Sequence, residues 1–162
     1  MTHDPRTRSR TRLSRRRLLQ IAGAALAVPL AARIGDARSQ TLPALPALTA
    51  LLAGRTPRWE RLHLDMPLFA DNGQAVPMRL VLSGPFAPGP TLQAIHLFSE
   101  RNPVPEMAVF EFPLPPDRVE IDARVRLAGA QRVVAIAVMS DATIYAASAD
   151  VEVTIAGCLD AS

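Results

Sequence analysis

Between residues 119 and 127, apolar and polar side chains strictly alternate: Val119, Ile121, Ala123, Val125 and Leu127 against Glu120, Asp122, Arg124 and Arg126. A period of two puts one set on a core and the other in water, so this stretch predicts a β-strand. Shorter runs of the same kind fall at residues 78–82, 92–98, 108–112, 133–139, 144–148 and 151–155. Turn-rich segments separate them, including Asp71-Asn72-Gly73, residues 84–90 and residues 113–117. The run 133–139 is apolar at nearly every position, as a central strand covered on both faces must be. Seven or eight short strands with no helical period between them predict an all-β antiparallel sandwich over residues 58–155. Ahead of it, residues 43–53 predict a short helix within a 40–57 linker, with Pro46 in the first turn and Gly54 ending it in the left-handed conformation.

A chain of 162 residues that is 49% apolar has the size and composition of one globular core plus a leader. Its formal charge of +3 would suit nucleic acid or an anionic membrane if it were evenly spread, but it is not. Residues 1–39 carry nine arginines against two acids, a net of +7, and the remainder carries nine against thirteen, a net of −4. The folded part is acidic, which excludes the nucleic-acid reading.

The basic excess sits in the order of an export signal. Arg15, Arg16 and Arg17 open an apolar, alanine-rich stretch from Leu18 to Ala32, and small residues at Ala37 and Ser39 suit a peptidase that leaves Gln40 first. Paired arginines before a weakly apolar core point to the twin-arginine route and a periplasmic destination. The apolar run is too short to span a bilayer, contains Pro29 and meets Arg33, so no permanent membrane anchor is expected. An amphipathic helix lying on a membrane would need a polar face that this stretch lacks.

Cys158 is the one cysteine of the chain, so in an oxidising compartment it is free, adducted or paired with another molecule. It follows the last strand by three residues, a reach of roughly 10 Å if extended, and Ala156 and Gly157 make a thin, mobile arm there. No cation lies near it in sequence, and Asp160 disfavours the thiolate, so the surroundings are the reverse of an autonomous cysteine nucleophile's. Chemistry on this thiol is then expected in a second protein's active site. An incidental cysteine on a disordered end and a homodimer disulfide stay open. Lipidation does not, because a lipobox must directly follow an N-terminal leader.

Several motifs resemble one family. They are Leu64-Asp65-Met66-Pro67, Ala70-Asp71-Asn72-Gly73 with Val76-Pro77, Ile95-His96-Leu97-Phe98, and Arg101-Asn102-Pro103 with Pro105-Glu106. Further on come Arg124-Val125-Arg126-Leu127-Ala128, Val133-Val134-Ala135 with Met139-Ser140-Asp141, and Val153-Thr154-Ile155 before Cys158. Together, and in this order, they resemble the thiosulfate-oxidation carriers of the SoxY family. The resemblance implies an immunoglobulin-like sandwich and a SoxZ-like partner subunit. It also implies covalent attachment of the sulfur substrate at Cys158 by a haem cytochrome complex, followed by presentation to sulfur-processing enzymes. The chain itself is then no enzyme and carries no cofactor. The arm departs from the family's Gly-Gly-Cys-Gly-Gly: Leu159 and Asp160 follow the cysteine, stiffening it and placing negative charge beside an anionic adduct. A group of paralogues that accompany quinoprotein dehydrogenase systems ends in Ala-Ala-Cys-Ile-Glu, and this ending fits that pattern too. A non-catalytic scaffold module is the remaining alternative.

His63 and His96 fall on predicted strands without a second cysteine or a carboxylate cluster, so no metal site is expected, and His96 reads as structural. Trp59 between Arg58 and Arg61 is a weak interface candidate, and residues 102–105 read as a rigid turn.

Overall fold

The computed structural model describes residues 41–84, 88–116 and 118–157. Among the described residues, eight strands form two sheets: β1 (Leu62–Asp65), β2 (Phe69–Asn72), β3 (Val76–Leu82), β4 (Leu92–Ser99), β5 (Glu106–Glu111), β6 (Val119–Val125), β7 (Gln131–Met139) and β8 (Ile144–Ile155). A three-stranded sheet runs β1-β3-β6 and a five-stranded sheet β2-β8-β7-β4-β5, packed as an all-β sandwich. Inward residues of the first, such as Leu62, Leu64, Met78 and Leu80, meet Ile95, Leu97, Val133 and Ala135 of the second in the main core.

The continuous apolar run of β7 has the cause its sequence predicts. Val133, Ala135, Ala137 and Met139 enter the main core, whereas Val134, Ile136 and Val138 face a second cluster with Phe98, Ile144, Ala146 and Leu48. Leu48 comes from helix α1 (Pro46–Leu52), which covers that outer face. The helix starts three residues later than predicted, because the residue before a proline is held extended: Leu45 has φ −103° and ψ 128°. Ala53, at φ 47°, takes the left-handed position expected of Gly54, which follows at φ 78°. The Arg55 guanidinium then donates to the Leu51 and Leu52 carbonyls at 2.6 and 2.9 Å, satisfying orphan acceptors at the helix end.

Three further expectations are corrected. The sandwich is not wholly antiparallel, since β2 lies parallel to β8, with Phe69 beside Glu152 and Asn72 beside Ile155. Residues 144–148 and 151–155 form one strand, because Asp150, which looks like a turn residue, accepts two bonds from Arg132 at 2.7 and 3.2 Å. That contact raises the Arg132 pKa further above its already high value. The alternating run 119–127 leaves its sheet at Val125, and the buried Leu127 belongs to the turn that follows.

Asp141, in the β7–β8 turn, accepts the Thr143 backbone N–H at 2.9 Å, which holds its carboxyl below the usual range. A lowered folded-state value means a contribution present in full above the unfolded value and lost as pH falls through the folded one. NMR titration should place the Asp141 midpoint in the folded protein below its midpoint in the urea-unfolded chain. Equal midpoints would remove the turn from any acid sensitivity.

Candidate functional site

The last four residues of β8 leave β7 and run beside β2. There the Glu152 N–H donates to the Leu68 carbonyl and the Gly73 N–H to the Ile155 carbonyl, both at 2.8 Å. Two residues later the chain changes partner. The Gly157 N–H donates to the Leu127 carbonyl at 2.7 Å, and the Leu127 N–H donates to the Gly73 carbonyl at 2.8 Å. Three backbones thus meet at the end of the sandwich: the turn after β2, the turn after β6 and the end of β8.

Only glycine allows this approach. A Cβ on Gly157 would overlap the Gly73 carbonyl and stand 2.6 Å from the Gln74 nitrogen. One on Gly73 would overlap the Leu127 carbonyl and stand 2.7 Å from the Gly157 nitrogen. Both turns are locally fixed, since the Asn72 side chain accepts the Gln74 N–H at 2.8 Å and Leu127 is fully buried.

The attachment candidate Cys158 and its neighbours Leu159 and Asp160 lie outside the described residues, as do Arg15, Arg16 and Arg17 of the export signal. Ala156 is half-buried and Gly157 buried, so the sequence-based picture of Gly157 as part of a thin free arm is corrected: this glycine is needed for contact, not for freedom. The roughly 10 Å reach counted from Ile155 ends at Cys158, outside the described residues.

Beside this junction lies a buried polar cluster that the sequence did not announce. Gln131 accepts from the Ser99 hydroxyl at 2.9 Å and from the Arg101 N–H at 2.8 Å, and donates to the Asn102 side-chain oxygen at 3.0 Å. Asn102 accepts the Ala128 N–H and donates to the Arg126 carbonyl, each at 2.9 Å. Residues 102–105 do form a turn, between β4 and β5, but Asn102 is its chemical centre. An open groove of about 500 Å³ adjoins it between β5 and β6, with Met78, Leu97, Met107, Phe110 and Val125 in its walls.

The other candidates do not converge here. His96 contacts Glu106 at 2.7 Å and stacks on Phe98, inside the five-stranded sheet. His63 is exposed on β1, opposite Val81. Trp59 packs against the second core, which accounts for it without an interface. No group of three or more His, Cys, Asp or Glu suited to a metal occurs among the described residues.

The family model described as sulfur oxidation protein SoxY matches residues 48–158, more than half of the chain and every strand of the sandwich. The chain belongs to the SoxY family. It is therefore a protein of sulfur oxidation, and the matched region of this SoxY chain runs through the Gly73–Leu127–Gly157 junction to Cys158. Among solved structures, a superoxide reductase (neelaredoxin) from Ignicoccus hospitalis is 14% identical with a TM-score of 0.43, covering 56% of this chain and 77% of its own. A candidate superoxide reductase from Thermotoga maritima is also 14% identical with a TM-score of 0.48, covering 58% and 87%. Likeness at that level carries no functional weight. No curated protein matches the chain.

Proposed function

We propose that this SoxY chain is a non-catalytic carrier that holds sulfur intermediates covalently on Cys158 and presents them to partner enzymes in the periplasm. The observation that carries this reading is the pairing of a single cysteine with its place in the chain, immediately after Gly157, which is pinned at the rim of the sandwich. Its sequence neighbours, Ala156, Gly157, Leu159 and Asp160, include no base or cation that would make the thiol a self-sufficient nucleophile, which supports chemistry done by another protein. Joining it to thiosulfate forms an S–S bond, releases the thiol proton and gives up an electron pair, which a haem cytochrome partner would accept. A SoxZ-like subunit is the expected companion of the sandwich, and the arginine-rich leader supports export by the twin-arginine route.

Intact-mass measurement of the exported protein should find a sulfur adduct that reductant removes and that Cys158→Ser abolishes. A thiol that is bare under sulfur-oxidising growth would reject the carrier reading. The Leu159-Asp160 segment after the cysteine favours two alternatives, an arm serving a quinoprotein dehydrogenase system and a plain scaffold. A Cys158→Ser chain that still supports its host pathway would select the scaffold.

A further inference from the structure

We propose that Asn102 is the positioning residue of the cysteine-bearing tail, fixing through Leu127 the root from which Cys158 departs. The proposal rests on the carrier reading for its functional meaning, but its geometry stands apart from it. Asn102 grips the residues on both sides of Leu127: its amide donates to the Arg126 carbonyl and its oxygen accepts the Ala128 N–H, each at 2.9 Å. Held at both flanks, Leu127 has one orientation of its own peptide groups. Its N–H reaches the Gly73 carbonyl and its carbonyl takes the Gly157 N–H. Asn102 is itself braced, its backbone N–H on the Ser99 hydroxyl at 3.1 Å and its oxygen on the Gln131 amide at 3.0 Å.

The residue type follows from these bonds. The position needs a donor and an acceptor on one short planar group; aspartate supplies no donor and alanine neither. The functional consequence concerns reach. With Gly157 pinned, a partner that engages the residue following it meets Gly73-Gln74 and Leu127-Ala128, the backbone that holds Gly157. Partner selectivity then includes the rim of the sandwich as well as the tail.

The test uses the full mature chain, with NMR amide exchange at Gly157 and a nitroxide on Cys158, the single thiol. In the parent, the Gly157 amide is expected to be protected and the nitroxide spectrum to hold a restrained component. Asn102→Ala should speed exchange at Gly157 and Leu127 by about tenfold or more and narrow the nitroxide lines, leaving the central amides of Ala135 and Ala147 protected. Asn102→Asp, which keeps the acceptor, should fall between. Gly157→Ala should free the label with Asn102 intact, which ties the label to the Gly157 contact. If neither Asn102 variant folds, Gln131→Leu, which removes a brace from the Asn102 oxygen, should speed Gly157 exchange in its place, and unchanged exchange there overturns the proposal. Open-chain exchange at Gly157 in the parent, or Gly157 protection unchanged in Asn102→Ala, would overturn the proposal, as would an unaltered nitroxide spectrum in Gly157→Ala. None of these readouts requires cargo, so a bare thiol in the mass measurement would reject the carrier reading and leave this one standing.

Discussion

Phe98→Ala is expected to destabilise the sandwich by about 3–5 kcal/mol, a large part of the roughly 5–15 kcal/mol that holds a domain together. Phe98 is fully buried, yet it points away from the core between the two sheets. It fills the second cluster, where Leu48 of α1 meets Val134, Ile136, Ile144 and Ala146. Its removal leaves a void that the small side chain of Ala146 cannot occupy and that a seven-residue helix is too short to collapse into without losing its seat. The thermal midpoint should fall by roughly 10–20 °C. Val109→Ala, at a position 43% exposed on β5, should change stability by no more than about 0.5 kcal/mol. A Phe98→Ala chain melting within a few degrees of the parent would mean that α1 is an ornament on the outer face.

That second cluster was partly legible in the sequence. The unbroken apolar run of β7 demands cover on both faces, and the helix that supplies it is announced by Pro46. Hydrophobic period likewise exposes β3 and β6, whose inward positions repeat every second residue, whereas in β4 a bulge after Leu92 breaks the period before Ile95 and Leu97. It fails for β2, because Phe-Ala-Asp-Asn has no alternation and is held by backbone pairing to β8, with Phe69 left 73% exposed. Asp150 misleads for a related reason: a charge inside a strand looks like a break until its partner Arg132, distant in sequence, is in place.

At the candidate site the division is similar. Cys158 stands out from composition alone. Gly157 is just as visible, but a glycine before a reactive residue reads as freedom, and here it is required by the approach of Gly73. Local sequence cannot distinguish these two uses of glycine, since one concerns its own dihedrals and the other the distance to a chain 84 positions earlier. Asn102 was hidden more thoroughly. An Asn-Pro pair signals a turn so strongly that nothing in the sequence reveals the side chain's bonds to Arg126, Ala128 and Gln131.

The cluster around that asparagine gives the second large effect. Gln131→Leu keeps nearly the same volume, so it makes no cavity, and any loss of stability reports hydrogen bonding alone. It removes the acceptor of the fully buried Ser99 hydroxyl and of the Arg101 N–H. Orphaning a buried donor costs about 1–3 kcal/mol, so the variant should lose about 1–3 kcal/mol, most of it at the Ser99 hydroxyl because the part-buried Arg101 N–H can turn to water, measured by urea unfolding at constant m-value. Repair should be possible from the other side. Adding Ser99→Ala deletes one of the orphans, although it also takes the acceptor of the Asn102 N–H, so the double variant should regain part of the loss and not add to it. Strict additivity of the two substitutions would show that Ser99 and Gln131 do not act as a unit. In that case the rigidity of the turn holding Leu127 would have to come from the apolar side chains beneath it.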